Sequence, residues 1–178
     1  RINGDGSIRI IYDGTSTHAN GESSTDRRIQ TSKYNDGMNQ TYYVGYTYTK
    51  AQRPSTQNGG TASTIKEVLD DWYTTNITNL SLDDRVINTA GFCNDRNMAN
   101  GYSWSIQPAS NIRYAPYERV YTTQSPTLKC SRTNDTYTTK IGLITADEVI
   151  FAGGIGNNSS YYLYTGNHFW TISPAYAT

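Results

Sequence analysis

The sequence predicts an irregular α+β domain with two short helices, a sparse antiparallel sheet and long loops. Three observations carry this expectation. Capping boxes open helical runs at Thr64 and Thr145. The runs suited to strands are short and rich in Tyr, Thr and Val. The text between them draws on 25 Thr, 16 Ser, 16 Asn and 15 Gly, residues that build turns by bonding nearby backbone or tolerating positive φ.

In chain order, Asn3-Gly4-Asp5-Gly6 marks a tight hairpin, and Ser7 to Tyr12 reads as the strand leaving it. Only Arg1 and Ile2 precede the turn, so the first strand is expected to be missing. Residues 13–39 read as an irregular excursion. Tyr42 to Tyr48 reads as a strand, and residues 52–62 as a loop around Pro54 and Gly59-Gly60. From Thr64, the residues Ile65, Val68, Leu69, Trp72 and Tyr73 recur at helical spacing and form one apolar stripe. That stripe is expected to be core, with Trp72 packed under the sheet beside Ile65 and Leu69. A strand is expected at Arg85 to Asn88, and loop character from Asn97 to Thr133. The second helix starts at Thr145-Ala146-Asp147-Glu148 and closes at Gly153-Gly154. Tyr161 to Tyr164 and Phe169 to Ile172 read as strands.

The 178 residues suit a single domain, 1–178. The 15 Lys and Arg cancel the 15 Asp and Glu, so no global field gathers nucleic acid or anionic lipid. No apolar run approaches the roughly 18 residues of a membrane span. Leu, Ile, Val and Phe are few, and 16 Tyr and 3 Trp supply the buriable area instead. Low charge with abundant Thr, Asn and Ser suits a protein outside the cell.

Cys93 and Cys130 are compatible with one disulfide in an oxidising compartment, the alternative being two unrelated thiols. A bridge across their 37-residue separation would contribute about 4 kcal/mol. No catalytic residue is assigned: His18 and His168 stand alone, no G-x-S-x-G frames a serine, and the adjacent acids Asp70-Asp71 and Asp83-Asp84 point apart. No metal site or cofactor is assigned either. Asp83, Asp84, Asn94 and Asp95 supply oxygen donors for calcium, but without a twelve-residue loop pattern.

Five motifs follow one another: Arg1-Ile2-Asn3-Gly4-Asp5-Gly6-Ser7-Ile8-Arg9, Phe92-Cys93-Asn94-Asp95-Arg96, Ile141-Gly142-Leu143-Ile144-Thr145-Ala146-Asp147-Glu148, Tyr161-Tyr162-Leu163-Tyr164-Thr165-Gly166 and Phe169-Trp170-Thr171-Ile172-Ser173-Pro174. In this order they resemble a family of uncharacterised Gram-positive gut-bacterial surface proteins, often with a prepilin-like or anchoring N-terminal helix. That family continues past the Ser-Pro segment into further strands ending near an Arg-Pro-Val-Ile pattern. The resemblance therefore implies a chain truncated at both ends, whose open sheet edges are covered by flanking segments or a neighbouring subunit. The family is remotely similar to the C-type-lectin-like fold shared with formylglycine-generating enzymes. Those oxidases use paired copper-binding cysteines, a motif that does not map onto Cys93 or Cys130, so no catalysis is carried over.

The expected function is an extracellular, non-enzymatic binding or display module for carbohydrate or a surface protein. The alternative is a structural subunit of a pilus-like fibre, self-associating through sheet edges. Aromatic rings beside small polar residues give rigid contact area with adaptable hydrogen bonds. The ligand-binding candidates on the loops at 97–121 and 154–168, and just beyond, are Tyr102, Trp104, Tyr114, Tyr117, Tyr161, Tyr162, Tyr164 and Trp170.

Overall fold

Helix α1 spans Thr64–Tyr73, and its donors are met one by one. Thr64 N donates to Asn35 Oδ1 at 3.3 Å, Ile65 N to the Tyr34 carbonyl at 3.1 Å, and Lys66 N to Ser63 Oγ at 3.2 Å. The cap is thus Ser63, one residue before the expected Thr64. The computed structural model describes residues 1–37, 40–49, 60–105, 111–130, 136–156 and 158–177.

Around α1 the chain forms a small α+β fold. Its strands are β1 (Thr47–Tyr48), β2 (Thr61–Ala62), β3 (Gly91–Cys93), β4 (Ile112–Arg113), β5 (Thr136–Thr138) and β6 (Tyr176–Ala177). They pair antiparallel as β1–β2, β3–β5 and β4–β6. Helix α2 (Ala115–Tyr117) runs on into a wider turn at Glu118–Thr122, and α3 spans Ala146–Phe151. Helix α3 has the expected box: Glu148 N donates to Thr145 Oγ1 at 3.0 Å, and Thr145 N returns a bond to the Glu148 carboxylate at 3.0 Å. Gly153, at φ 98°, ends it, with Gly154 N reaching back to the Val149 carbonyl at 2.9 Å.

The apolar face of α1 buries Ile65 and Leu69 against Tyr46 and Ile172, with Phe92, Tyr137, Ile141 and Leu143 packed around them. A second cluster joins Val44, Ile112 and Tyr114, with Met98 alongside. Trp72 is a correction. It is half-buried and outside both clusters, and its ring meets Tyr12 edge-on at 5.1 Å.

Several expected strands are not strands, because favourable residue types still need a ladder partner. Around the first turn Arg1 and Arg9 exchange both backbone bonds, at 2.9 and 2.8 Å, but beyond the Ile2–Ile8 bridge Ser7 to Tyr12 forms no ladder. Gly45, at φ 102°, breaks the 42–48 run, leaving a 3-10 turn at Thr41–Tyr43 and only β1 extended in a ladder. Residues 83–85 coil into a 3-10 turn, 161–164 fold into turns, and 169–172 carry no ladder. Conversely, the stretch expected as loop holds β4 and α2. Of the loop expected at 52–62, residues 52–59 lie outside the described residues, and Thr61–Ala62 forms β2.

Candidate binding surface

The centre of the site is the run Asn94-Asp95-Arg96, each residue buried and each turned to a different partner. Asn94 Oδ1 accepts from Tyr46 N at 3.0 Å, and Arg96 Nη1 donates to the carbonyls of Val44 at 2.9 Å and Thr47 at 3.2 Å. Asp95 Oδ2 accepts from Arg119 Nη1 at 3.0 Å. Arg119 then forks onto Asp147, Nε to Oδ1 and Nη2 to Oδ2, both at 3.0 Å. Thr127 N also donates to Asp147 Oδ1, at 2.9 Å. This cluster fixes the helix carrying Arg119 to the first turn of α3.

A cavity of about 180 Å³ opens beside it, lined by Arg1, Arg9, Asp95, Arg119, Asp147 and Glu148 among others. Its charges answer one another. Glu148 accepts from Arg1 Nη1 at 2.7 Å and Arg9 Nη1 at 3.3 Å. Burial opposes ionisation of Glu148, but the Thr145 N bond and the two arginines outweigh it and hold the carboxyl below its ordinary value. The disulfide closes the same wall: Cys93 and Cys130 are joined, with Sγ atoms 2.08 Å apart and Cα atoms 5.4 Å apart. The calcium donors are dispersed among cations, Asp83 to Lys140 and Asp95 to Arg119. Among the described residues no three acids, histidines or cysteines gather to hold a metal.

With Arg119 anchored inward, the opposite face of its helix turns to solvent. Tyr117 and Tyr121, four residues apart, stack with ring centroids 4.9 Å apart and planes 34° apart. Tyr176 on β6 meets Tyr117 at 6.4 Å and 89°. Tyr121 is 67% exposed and Tyr176 56% exposed. Strand β4 alternates beside them, with Ile112 and Tyr114 inward and Arg113 outward. The Arg113 guanidinium lies over the Tyr117 ring at 5.0 Å, and Arg113 pairs in register with Tyr176.

The residues expected to bind fall into separate groups. Tyr114 is a correction: it is fully buried, because the alternation of β4 turns it into the core beside Val44 and Ile112. Tyr117 belongs to the exposed ring cluster. Tyr102 is exposed at a turn and Trp104 half-buried, neither in a ring contact with that cluster. Tyr161 and Tyr164 meet edge-on at 6.1 Å. Tyr162 bonds the Asp13 carboxylate through its hydroxyl and stacks over Arg27 at 5.4 Å. Arg27, itself buried, donates to Asp13, to the Glu22 carbonyl and to the Tyr162 carbonyl, tying the 13–28 excursion to the 158–168 loop. Trp170 donates through Nε1 to the Ser32 carbonyl at 2.8 Å and packs edge-on to Tyr34. Arg113, Tyr121 and Tyr176 are outside the expected set, and the alternation Ile112-Arg113-Tyr114 is a sequence signal for Arg113 only.

No protein-family model, no curated protein and no solved structure matches the chain.

Proposed function

We propose that the chain is an extracellular, non-enzymatic binding or display module whose ligand is a carbohydrate or a protein. One observation carries this reading: the exposed rings of Tyr121 and Tyr176 pack on the half-buried Tyr117, on a face anchored from behind by the Asp95–Arg119–Asp147 ion cluster. Rigid aromatic area held in place loses little entropy on binding, and phenol hydroxyls add hydrogen bonds. The disulfide supports an oxidising compartment. The bacterial surface family and its C-type-lectin-like architecture belong to this proposal and rest on the order of the five motifs.

The test is a glycan and protein array probed with the wild type and with a Tyr121→Ala/Tyr176→Ala variant of unchanged melting temperature. Retained binding by the wild type and loss by the variant is the expected result. Equal binding by both, or none by either, counts against the reading. A second reading, a pilus-like fibre subunit, is favoured by Ile2, Ile8, Ile10 and Ile11, all exposed along the first hairpin and the segment after it. Electron microscopy of the native cell surface separates the two.

A further inference from the structure

The side chain that distinguishes the Tyr117–Tyr121–Tyr176 surface is Arg113. Among the described residues, Arg1, Arg9, Arg27, Arg85 and Arg119 are each ion-paired, Arg96 is held by carbonyls, and Arg28 and Arg113 have no ion pair. Among the described residues the Arg113 guanidinium has no ion pair and no hydrogen bond, and what it meets is a ring. It is held over Tyr117 at 5.0 Å, directly across β4–β6 from Tyr176. The neighbouring acid is turned away: Glu118 accepts from Asn100 N at 2.9 Å. A guanidinium stacked on a ring keeps its planar fork of donors oriented, and that fork matches a carboxylate.

The rings beside it set the rest of the ligand. Tyr117 and Tyr176 stand nearly perpendicular, and Tyr121 extends the Tyr117 face. A ring with a C–H face and a charged substituent fits such a corner, its apolar face on an exposed tyrosine and its anion on the fork. We infer that the ligand of this surface is an acidic saccharide, a sugar unit bearing a carboxylate that Arg113 takes bidentately while Tyr121 or Tyr176 stacks on the pyranose. This rests on the reading of the cluster as a binding surface. It adds a charge requirement that a neutral-sugar site would not have.

The experiment is calorimetric titration with three probes: galacturonic acid trisaccharide, the neutral galactose trisaccharide and a short oligoglutamate peptide. It uses wild type, Arg113→Gln and Tyr121→Ala/Tyr176→Ala. Arg113 is exposed and its contact is the Tyr117 ring alone among the described residues, so Arg113→Gln should lower the melting temperature only slightly. The wild type should bind the acidic sugar about tenfold or more tighter than the neutral one, the scale of one charge-assisted pair. Arg113→Gln should erase that preference, and the double tyrosine variant should lose both sugars. Equal affinity for the two sugars, or a preference that survives Arg113→Gln, overturns the acidic-ligand inference and leaves the binding surface standing. Binding of oligoglutamate as tightly as the acidic sugar overturns the saccharide assignment. Absence of binding to all three overturns the inference together with the carbohydrate reading on which it stands.

Discussion

Gly45 and Arg96 fit against each other so closely that a Cβ at position 45 would overlap Arg96 Cδ and sit 3.1 Å from its Nε. Gly45 also holds φ 102°, outside the range comfortable for other residues. The bend it makes is what turns the carbonyls of Val44 and Thr47 onto one guanidinium. Gly45→Ala should therefore cost at least ~1–3 kcal/mol from backbone strain alone. A chemical denaturation midpoint unchanged from wild type would contradict this.

Tyr34 and Tyr114 bury hydroxyls that find no hydrogen-bond partner among the described residues. Burial pushes both phenols well above their ordinary value, and the nearby Arg96 charge opposes that only partly. Removing an unsatisfied buried hydroxyl loses no bond, so Tyr34→Phe and Tyr114→Phe should be neutral or stabilising by up to about 1 kcal/mol. Tyr73 is the control, because its hydroxyl donates to Asp83 at 2.8 Å, and Tyr73→Phe should cost about 1.5 kcal/mol. Thermal melts of the three variants check the ordering.

What the sequence made legible follows from how local each signal is. The box at Thr145 uses residues three apart and needs no tertiary partner, so the start of α3 is readable to the residue. The stripe on α1 correctly named Ile65 and Leu69. The runs at Ser7 to Tyr12 and Phe169 to Ile172 have strand chemistry but no ladder partner, and pairing is not written in the run itself. Helix α2 was hidden because it begins on Ala115-Pro116 with no side-chain cap and carries no apolar period. Among the site residues, Tyr114 was misplaced because loop character was assigned where β4 alternates. The Asp95–Arg119–Asp147 cluster joins positions 24 and 28 residues apart, a spacing without a local signature.

Trp72 and Leu69 lie on the same helix at different depths. Leu69 is buried in the core cluster, so Leu69→Ala should cost about 2–5 kcal/mol. Trp72 is half-buried and packs on Tyr12, so Trp72→Ala should cost clearly less than the roughly 3–5 kcal/mol of a fully buried aromatic. A larger loss for Trp72 than for Leu69 in equilibrium unfolding would reverse this ranking.

Asp147 and Arg119 form a forked pair with the Asp147 side chain only 3% exposed. Removing Asp147 breaks both arms of the fork but leaves Arg119 its bond to Asp95, so Asp147→Ala should destabilise by about 2–3 kcal/mol, at or below the low end of the cost of a fully stranded charge. Replacing only the acid also leaves Thr127 N without its acceptor. Because the same helix presents Tyr117 and Tyr121, the variant should lose ligand affinity along with stability. A variant that melts like wild type would show that the cluster does not anchor that face.

His18 sits with its side chain 3% exposed, Nδ1 3.0 Å from Glu22 and Nε2 3.0 Å from Asp26. Both ring nitrogens face carboxylates, so the geometry calls for the imidazolium, which donates from each. The Glu22 hydrogen bond, opposed by desolvation and reinforced by Asp26, raises the His18 pKa above its ordinary 6.5. Stability from this charge is fully present below 6.5 and is lost as pH rises through the higher folded-state value. The carboxylates run the other way. Glu22 is lowered from 4.5 by the Ala19 N bond and then by His18. Asp26 is lowered from 3.8 by the Ser24 hydroxyl, with Thr15 N and His18 adding to it against desolvation. Their contribution is present above those ordinary values and lost on acidification below them. The 13–28 excursion should thus be held most firmly between about pH 4.5 and 6.5. It should loosen on alkaline titration, taking with it the Arg27 bond to the Tyr162 carbonyl. NMR titration of the His18 ring with hydrogen exchange at residues 13–28 measures this directly. His18→Gln should flatten the alkaline limb of the melting profile, and an unchanged profile would show that the charge on His18 does not hold the loop.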